Sequence, residues 1–375
     1  MNGDKISSDA LVEGIVADSG GIRAWVRRLG RLQASQIVLI WVAIVVIFSA
    51  LSPGAFLSLT NFREILVNIA IMAVLAVGTT YIIVTAGIDL SMGSVLVFSG
   101  VVSAWVMARF GAGDVMAQPG DFSESWVVAV IGILTALACG TAWGWLNGFL
   151  VAKAKVPPMI VTLGTFGAAL GLAQVITGGV DQTSVPNSLV DTIGFGRILE
   201  IPILTIIAAV VVVIGAIVLG RTRFGLYTCA VGSNPEACRR VGINVDRHLI
   251  KVYAVAGFLA GMAGILNLCY FRNTTIAGQA TTNLDVIAGV VIGGTSLFGG
   301  IGTIAGTVVG LLIPATLRNG FIILGVPPYW QQVVVGAFLV IAVYADQVRR
   351  ASAARAGAAK KKKGQHKKEP EQLNL

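Results

Sequence analysis

Apolar runs of about 17 to 25 residues recur along most of this chain, each long enough to cross roughly 30 Å of hydrocarbon as a helix. In lipid no water is at hand for backbone N–H and C=O groups, so a spanning segment must be a helix or part of a closed barrel. Barrel strands would show runs of about 10 residues with polar alternation, and these runs do not alternate. Composition agrees: 55% of residues are hydrophobic, 12% are charged, and mean hydropathy is +0.84. A soluble domain carries about 25% charged residues, so too little charge is present to cover a water-facing surface. The chain therefore reads as an all-α polytopic membrane protein.

Ten transmembrane helices are expected, at about 37–52, 65–86, 92–110, 126–150, 159–177, 201–220, 249–270, 284–298, 302–321 and 330–346. The eighth is short and runs into GGTSLFGGIG, which leaves open a broken or re-entrant helix. Lysine and arginine counts give the orientation, because basic residues gather on the cytoplasmic side. With the N-terminus inside, five fall in the leader 1–36, two at Lys153 and Lys155, six between Arg221 and Lys251, and nine in the tail 347–375. Only Arg63, Arg109, Arg197, Arg272 and Arg318 are left for outer segments. Both ends are thus expected in the cytoplasm, around a transmembrane domain 37–346. The outer loops around Gly111–Ser125 and Gly178–Glu200 are acidic or polar, and Trp126, Tyr329 and Trp330 suit the outer interface.

The net charge of +9 follows this topology and is no footprint of a nucleic acid. The leader and the basic tail read as solvated segments that meet anionic membrane lipid. GIDLSMGSV between spans 2 and 3 and TTNLDVIAGVV between spans 7 and 8 each place an Asp at the start of an apolar helix. They suggest an inverted repeat of spans 2–5 and 7–10.

No GxxxxGK[ST] string occurs, so the chain is not expected to cradle nucleotide phosphates. Gly300 to Ala305 fits GxGxxA but lies between apolar spans, where small residues, as at Gly306 and Gly310, serve helix packing. Four cysteines and two histidines offer neither a disulfide framework nor metal-site spacing. No catalytic residue and no cofactor in this chain are expected.

The deep spans are almost free of charge. Asp89 has two readings: a gate or hydrogen-bond acceptor for a solute, or an N-cap helped by Ser91. Asp285 reads the same way. Thr162, Thr165, Asn267 and Thr295 belong to a scatter of hydroxyl and amide groups that suits a neutral polyhydroxyl solute, although such groups also bond their own backbone. A carboxylate solute would call for a cation that the spans are not expected to offer.

The one long polar interruption of the second half runs from Arg221 to Lys251. Pro235 suits the first residue of a helix with Asn234 as its cap, Glu236 the first turn, and Arg239 and Arg240 the last. Gly242 can close that helix in the left-handed conformation. About two turns of helix are expected, lying along the membrane and gripped by something in the cytoplasm; a plain amphipathic interfacial helix is the alternative.

Glu236-Ala237-Cys238, three residues and then Gly242 resembles the EAA–x3–G signature of ATP-binding cassette importer permeases, with Cys238 in place of the second Ala. Gly87-Ile-Asp-Leu-Ser91, Val156-Pro-Pro158 with Thr162-Leu-Gly164-Thr165, Gly293-Gly-Thr-Ser-Leu297 with Gly299-Gly300, and Gly325-Val-Pro327 before Tyr329-Trp330-Gln331 look like the ribose-type branch of sugar permeases. Together they cover roughly residues 60 to 346. The resemblance implies a bacterial inner-membrane permease subunit that makes and breaks no covalent bond and imports a neutral monosaccharide by alternating access. It implies a second permease copy, identical or paralogous, and a periplasmic or lipid-anchored sugar-binding protein. It also implies ATPase subunits that hold ATP and Mg and grip a coupling helix formed by Pro235, Glu236, Ala237, Cys238, Arg239, Arg240 and Gly242. Asp89 and the Gly293–Gly300 turn would line or gate the path. The same machine for branched-chain amino acids or nucleosides, and an ion-coupled secondary transporter, are the competing readings.

Overall fold

The computed structural model describes residues 33–111, 126–183, 185–279 and 282–327, with scattered helical residues between 330 and 344. Nearly all of the expected leader, the loop after Gly111, Tyr329, about half of the tenth span and the tail lie outside these described residues.

The described chain is helical almost throughout. In order come α1 (Gln33–Leu51), α2 (Leu59–Val84), α3 (Met92–Gly111), α4 (Trp126–Ala152) and α5 (Pro158–Thr177). A short helical turn over 187–194 and a two-residue hairpin, Arg197–Ile198 against Ile201–Pro202, lead into α6 (Ile203–Arg221). Then follow α7 (Arg223–Ser233), α8 (Pro235–Arg240), α9 (Val245–Phe271), α10 (Thr282–Ile292) and α11 (Ile304–Ile323). Seven of these, α2 to α6, α9 and α11, are long and apolar enough to cross a membrane, and Ile37–Leu51 and Thr282–Ile292 are shorter apolar stretches.

Boundaries move where polar caps, invisible to hydropathy, decide them. The second span starts at Leu59 rather than 65, because the Ser58 hydroxyl accepts the Asn61 amide and so fixes the N-terminus of α2. The eighth, expected over 284–298, is the 11-residue α10 followed by a turn at Gly293 and Gly294. At about 1.5 Å per residue it spans only about half of the hydrocarbon layer.

Burial ranks the helices. Within their most apolar windows α2, α3 and α9 are 89%, 67% and 61% buried, whereas α5 and α6 are each 22% buried, so α2, α3 and α9 form the centre and α5 and α6 its exposed apolar rim. Lipid tails give apolar faces no reason to leave them, so tight association in a membrane rests on close contact of backbones. The α4–α9 crossing shows this: a Cβ on Gly144 would lie 2.2 Å from the Tyr253 carbonyl oxygen, and one on Gly257 2.2 Å from that of Gly140. The expected Gly306–Gly310 packing also appears, with Gly310 against the carbonyl of Gly289 in α10.

Candidate functional site

Between α2 and α3 the chain runs without regular structure from Thr85 to Ser91, and this stretch carries Asp89. It is held by a bond within itself and by three neighbouring helices. Asp89 Oδ1 accepts both the amide and the hydroxyl of Ser91, at 2.7 and 2.6 Å, just ahead of the first turn of α3. Asn147 of α4 donates to Ser91 Oγ at 2.9 Å. The Thr162 hydroxyl of α5, bonded mainly to its own Pro158 carbonyl at 2.9 Å, leans on the Ile88 carbonyl at 3.3 Å. Asn283, in the first turn of α10, donates to the Leu90 carbonyl at 2.6 Å. The N-terminal ends of α3 and α10 therefore meet inside the bundle, where both helix dipoles present partial positive charge.

Asp89 and Ser91 are 3% and 1% exposed. Two buried polar atoms near them have no protein partner: Tyr253 Oη, which a Cβ on Gly87 would approach to 2.9 Å, and Asn147 Oδ1. Such orphans cost about 1–3 kcal/mol each and mark a place where a hydroxyl-bearing molecule could bond.

Of the other candidates, Thr165 bonds only the Thr162 carbonyl one turn back, at 3.3 Å. Asn267 donates to Thr275 Oγ1 at 2.7 Å, away from this cluster. Thr295 is buried in the turn after α10, its hydroxyl unpartnered and close to Gly302. Asp285 is 4% exposed and pairs with Arg318 of α11, Nη2 to Oδ2 at 2.6 Å. This corrects one expectation: Arg318 lies within an apolar helix, so a span does hold a cation, one already neutralised by the carboxylate of a neighbouring helix. Asn147, Tyr253, Asn283 and Arg318 were not among the sequence candidates; the signal available for three of them was a polar or charged residue within or beside an apolar run.

The Arg221–Lys251 connection holds two helices rather than one. α7 starts at Thr222, whose hydroxyl accepts the Gly225 amide, and α8 starts at Asn234, whose Oδ1 accepts the Ala237 amide at 2.9 Å with Pro235 as first residue. α8 ends as expected: Gly242 has φ +85°, its amide bonds the Arg239 carbonyl, and the Ile243 amide bonds that of Cys238. That pair of bonds is a Schellman closure. Cys238 packs in a small apolar cluster with Val231 and Val245. Arg239 pairs with Glu236 and, at 3.5 Å, with Asp246 at the foot of α9; Asp246 also pairs with Lys155 at 2.9 Å and Lys153 at 3.7 Å from the α4–α5 connection. α8 is thus tied by charge to two other parts of the basic face.

The end of α7 also reaches the other broken segment. The Gly300 amide donates to the Val84 carbonyl at 2.8 Å, and a Cβ on Gly232 would sit 1.8 Å from that same oxygen. So the turn after α10, the end of α2 and the end of α7 touch through bare backbone.

A bundle of apolar helices, two of them with N-termini meeting inside it, with a compact capped rod on its basic face, defines a multi-pass membrane transport protein. The chain belongs to the family described as the permease component of branched-chain amino acid transport systems, which it matches over residues 61–343. It is similar to the ribose import permease protein of Escherichia coli K12, 36% identical over 88% of this chain and 96% of that protein. The ribose import permease protein of Bacillus subtilis is 36% identical over 82% of this chain and 91% of its own length. The fructose import permease protein of Rhizobium meliloti is 31% identical over 84% and 86%. No solved structure matches the chain. Like the permease components it resembles, the chain is a transport subunit and not an enzyme.

Proposed function

We propose that this chain is the membrane-spanning subunit of an ATP-driven importer and passes a neutral monosaccharide of the ribose type. The observation that carries the reading is its likeness, over most of its length, to permeases named for ribose, fructose and galactose. The chemistry at Asp89 suits such a cargo: a carboxylate that accepts hydrogen bonds and two uncharged polar atoms without protein partners. The basic face is cytoplasmic, following the lysine and arginine distribution.

On that face α8, with Pro235, Glu236, Arg239, Arg240 and Gly242, is the rod that a separate ATPase grips, and ATP and Mg reside in that partner. A sugar-binding protein delivers its cargo to the opposite mouth, and a second permease copy completes the pathway. Asp89, Ser91 and Thr162 border the path together, and Asp285 holds α10 against α11 beside it. Movement of α8 reaches the Asp89 segment through the Gly232, Gly300 and Val84 backbone contact.

The test is uptake of labelled ribose into proteoliposomes that contain the chain, its ATPase and its binding protein. Uptake is expected to need all three and ATP. Uptake by the chain alone, or uptake abolished by collapsing an ion gradient, would overturn the reading. The family description favours a second cargo, branched-chain amino acids. The neutralisation of Arg318 by Asp285 leaves the helix N-termini as the sites for such a carboxylate, and unlabelled leucine that competes with ribose would favour it.

A further inference from the structure

Between α2, α6 and α9 lies an apolar groove of about 410 Å³, open on one side. Its walls include Val211, Ile214 and Val218 of α6 and Val255, Phe258 and Met262 of α9. Ile214 is 55% exposed and Val255 and Phe258 are each 37% exposed, so the groove faces outward from a lipid-facing helix. Its one phenol, Tyr81 of α2, donates its hydroxyl to the Gly215 carbonyl at 2.8 Å. The interior thus has affinity only for hydrocarbon.

Both walls end in cations at the basic face. On α6 the helical spacing that places Val211, Ile214 and Val218 on the groove continues to Arg221. On α9 the spacing of Val255, Phe258 and Met262 runs back, four residues before Val255, to Lys251. Arg223 adjoins Phe224, which closes the groove at this end and packs its ring 5.0 Å from that of His248, one turn before Lys251. Arg221, Arg223 and Lys251 are all exposed, and among the described residues no carboxylate pairs with any of them. This separates them from Lys153, Lys155 and Arg239, which are all engaged by Asp246.

An apolar slot within a membrane, capped by three unpaired cations at headgroup level, is complementary to a molecule with a hydrocarbon chain and an anionic head. We propose that this groove binds one anionic phospholipid, an acyl chain between α6 and α9 and the phosphate on Arg221, Arg223 and Lys251. Basic pockets between membrane helices take anionic headgroups in this way, and each cation near the surface adds to the attraction. The headgroup then sits against the joint between α6 and α7, where it braces the approach to α8. The inference does not depend on which solute is carried.

The experiment is native mass spectrometry of the full chain purified from membranes of equal phosphatidylglycerol and phosphatidylcholine content. One retained phosphatidylglycerol per chain is expected, in preference to phosphatidylcholine. R221Q/R223Q/K251Q should lower that retention tenfold or more, because each cation near the surface adds to the attraction. Val255→Trp, which fills the slot and leaves every charge in place, should lower it as well. Equal retention of the two lipids by the unaltered chain would overturn the proposal without recourse to any variant. So would unchanged retention in either variant. Loss of ATPase binding by the triple variant with lipid retention intact would also overturn it and assign the cations to the protein partner.

Discussion

The side-chain amide of Asn283 donates to the backbone carbonyl of Leu90 at 2.6 Å, joining two segments 193 residues apart in the chain. One bond thereby fastens the first turn of α10 to the threshold of α3. A hydrogen bond of this kind contributes about 1 kcal/mol net, or roughly fivefold in an equilibrium. Asn283→Ala should insert normally and lower ATP-dependent uptake by about that factor. Uptake assays at matched protein level check this, and undiminished uptake would show that the link is not used.

The Asp285–Arg318 pair is expected to behave asymmetrically. Removing one partner of a buried ion pair strands the other charge, at a cost of about 3–5 kcal/mol, while removing both costs far less. Thermal unfolding of Asp285→Ala, Arg318→Ala and the double variant in nanodiscs gives the comparison. The double variant should melt above either single one, and additive losses would contradict the pairing.

Gly242 stands at φ +85°, which proline cannot adopt and which costs other residues roughly 1–2 kcal/mol. Gly242→Pro should break the closure of α8 and abolish co-purification of the ATPase while leaving the spans folded. Gly242→Ala should weaken co-purification without abolishing it. Full association of the proline variant would refute the docking role of α8.

At the α4–α9 crossing even one methyl group has no room. Gly144→Ala places a Cβ 2.2 Å from a backbone oxygen, and overpacking of this sort costs about 1–3 kcal/mol. Its unfolding temperature in detergent should fall. Gly164→Ala on α5 meets open space and should leave that temperature unchanged or raise it.

What could be read from the sequence was local. α8 was legible because Asn234, Pro235 and Gly242 specify both its ends within nine residues, and the apolar runs gave the long helices because lipid enforces their length. α7 escaped because its signal is a single threonine cap in a polar stretch that lacks a run of apolar residues. α10 was overextended because hydropathy continues into the turn at Gly293, and averaging hides where the helix stops. The pairing of Arg318 was missed for a different reason: its partner lies 33 positions earlier, on another helix. The cluster around Asp89 draws on α3, α4, α5, α9 and α10 at once, and no spacing rule brings Asn147, Tyr253 and Asn283 to one point.

Thr222 is the only residue between α6 and α7, and Asn234 the only one between α7 and α8. Three rods joined by single-residue knuckles resemble a finger more than a loop, for there is no slack in which a push at the tip could dissipate. Lengthening either knuckle by a few glycines should therefore leave every helix intact and still disconnect the stroke from its load.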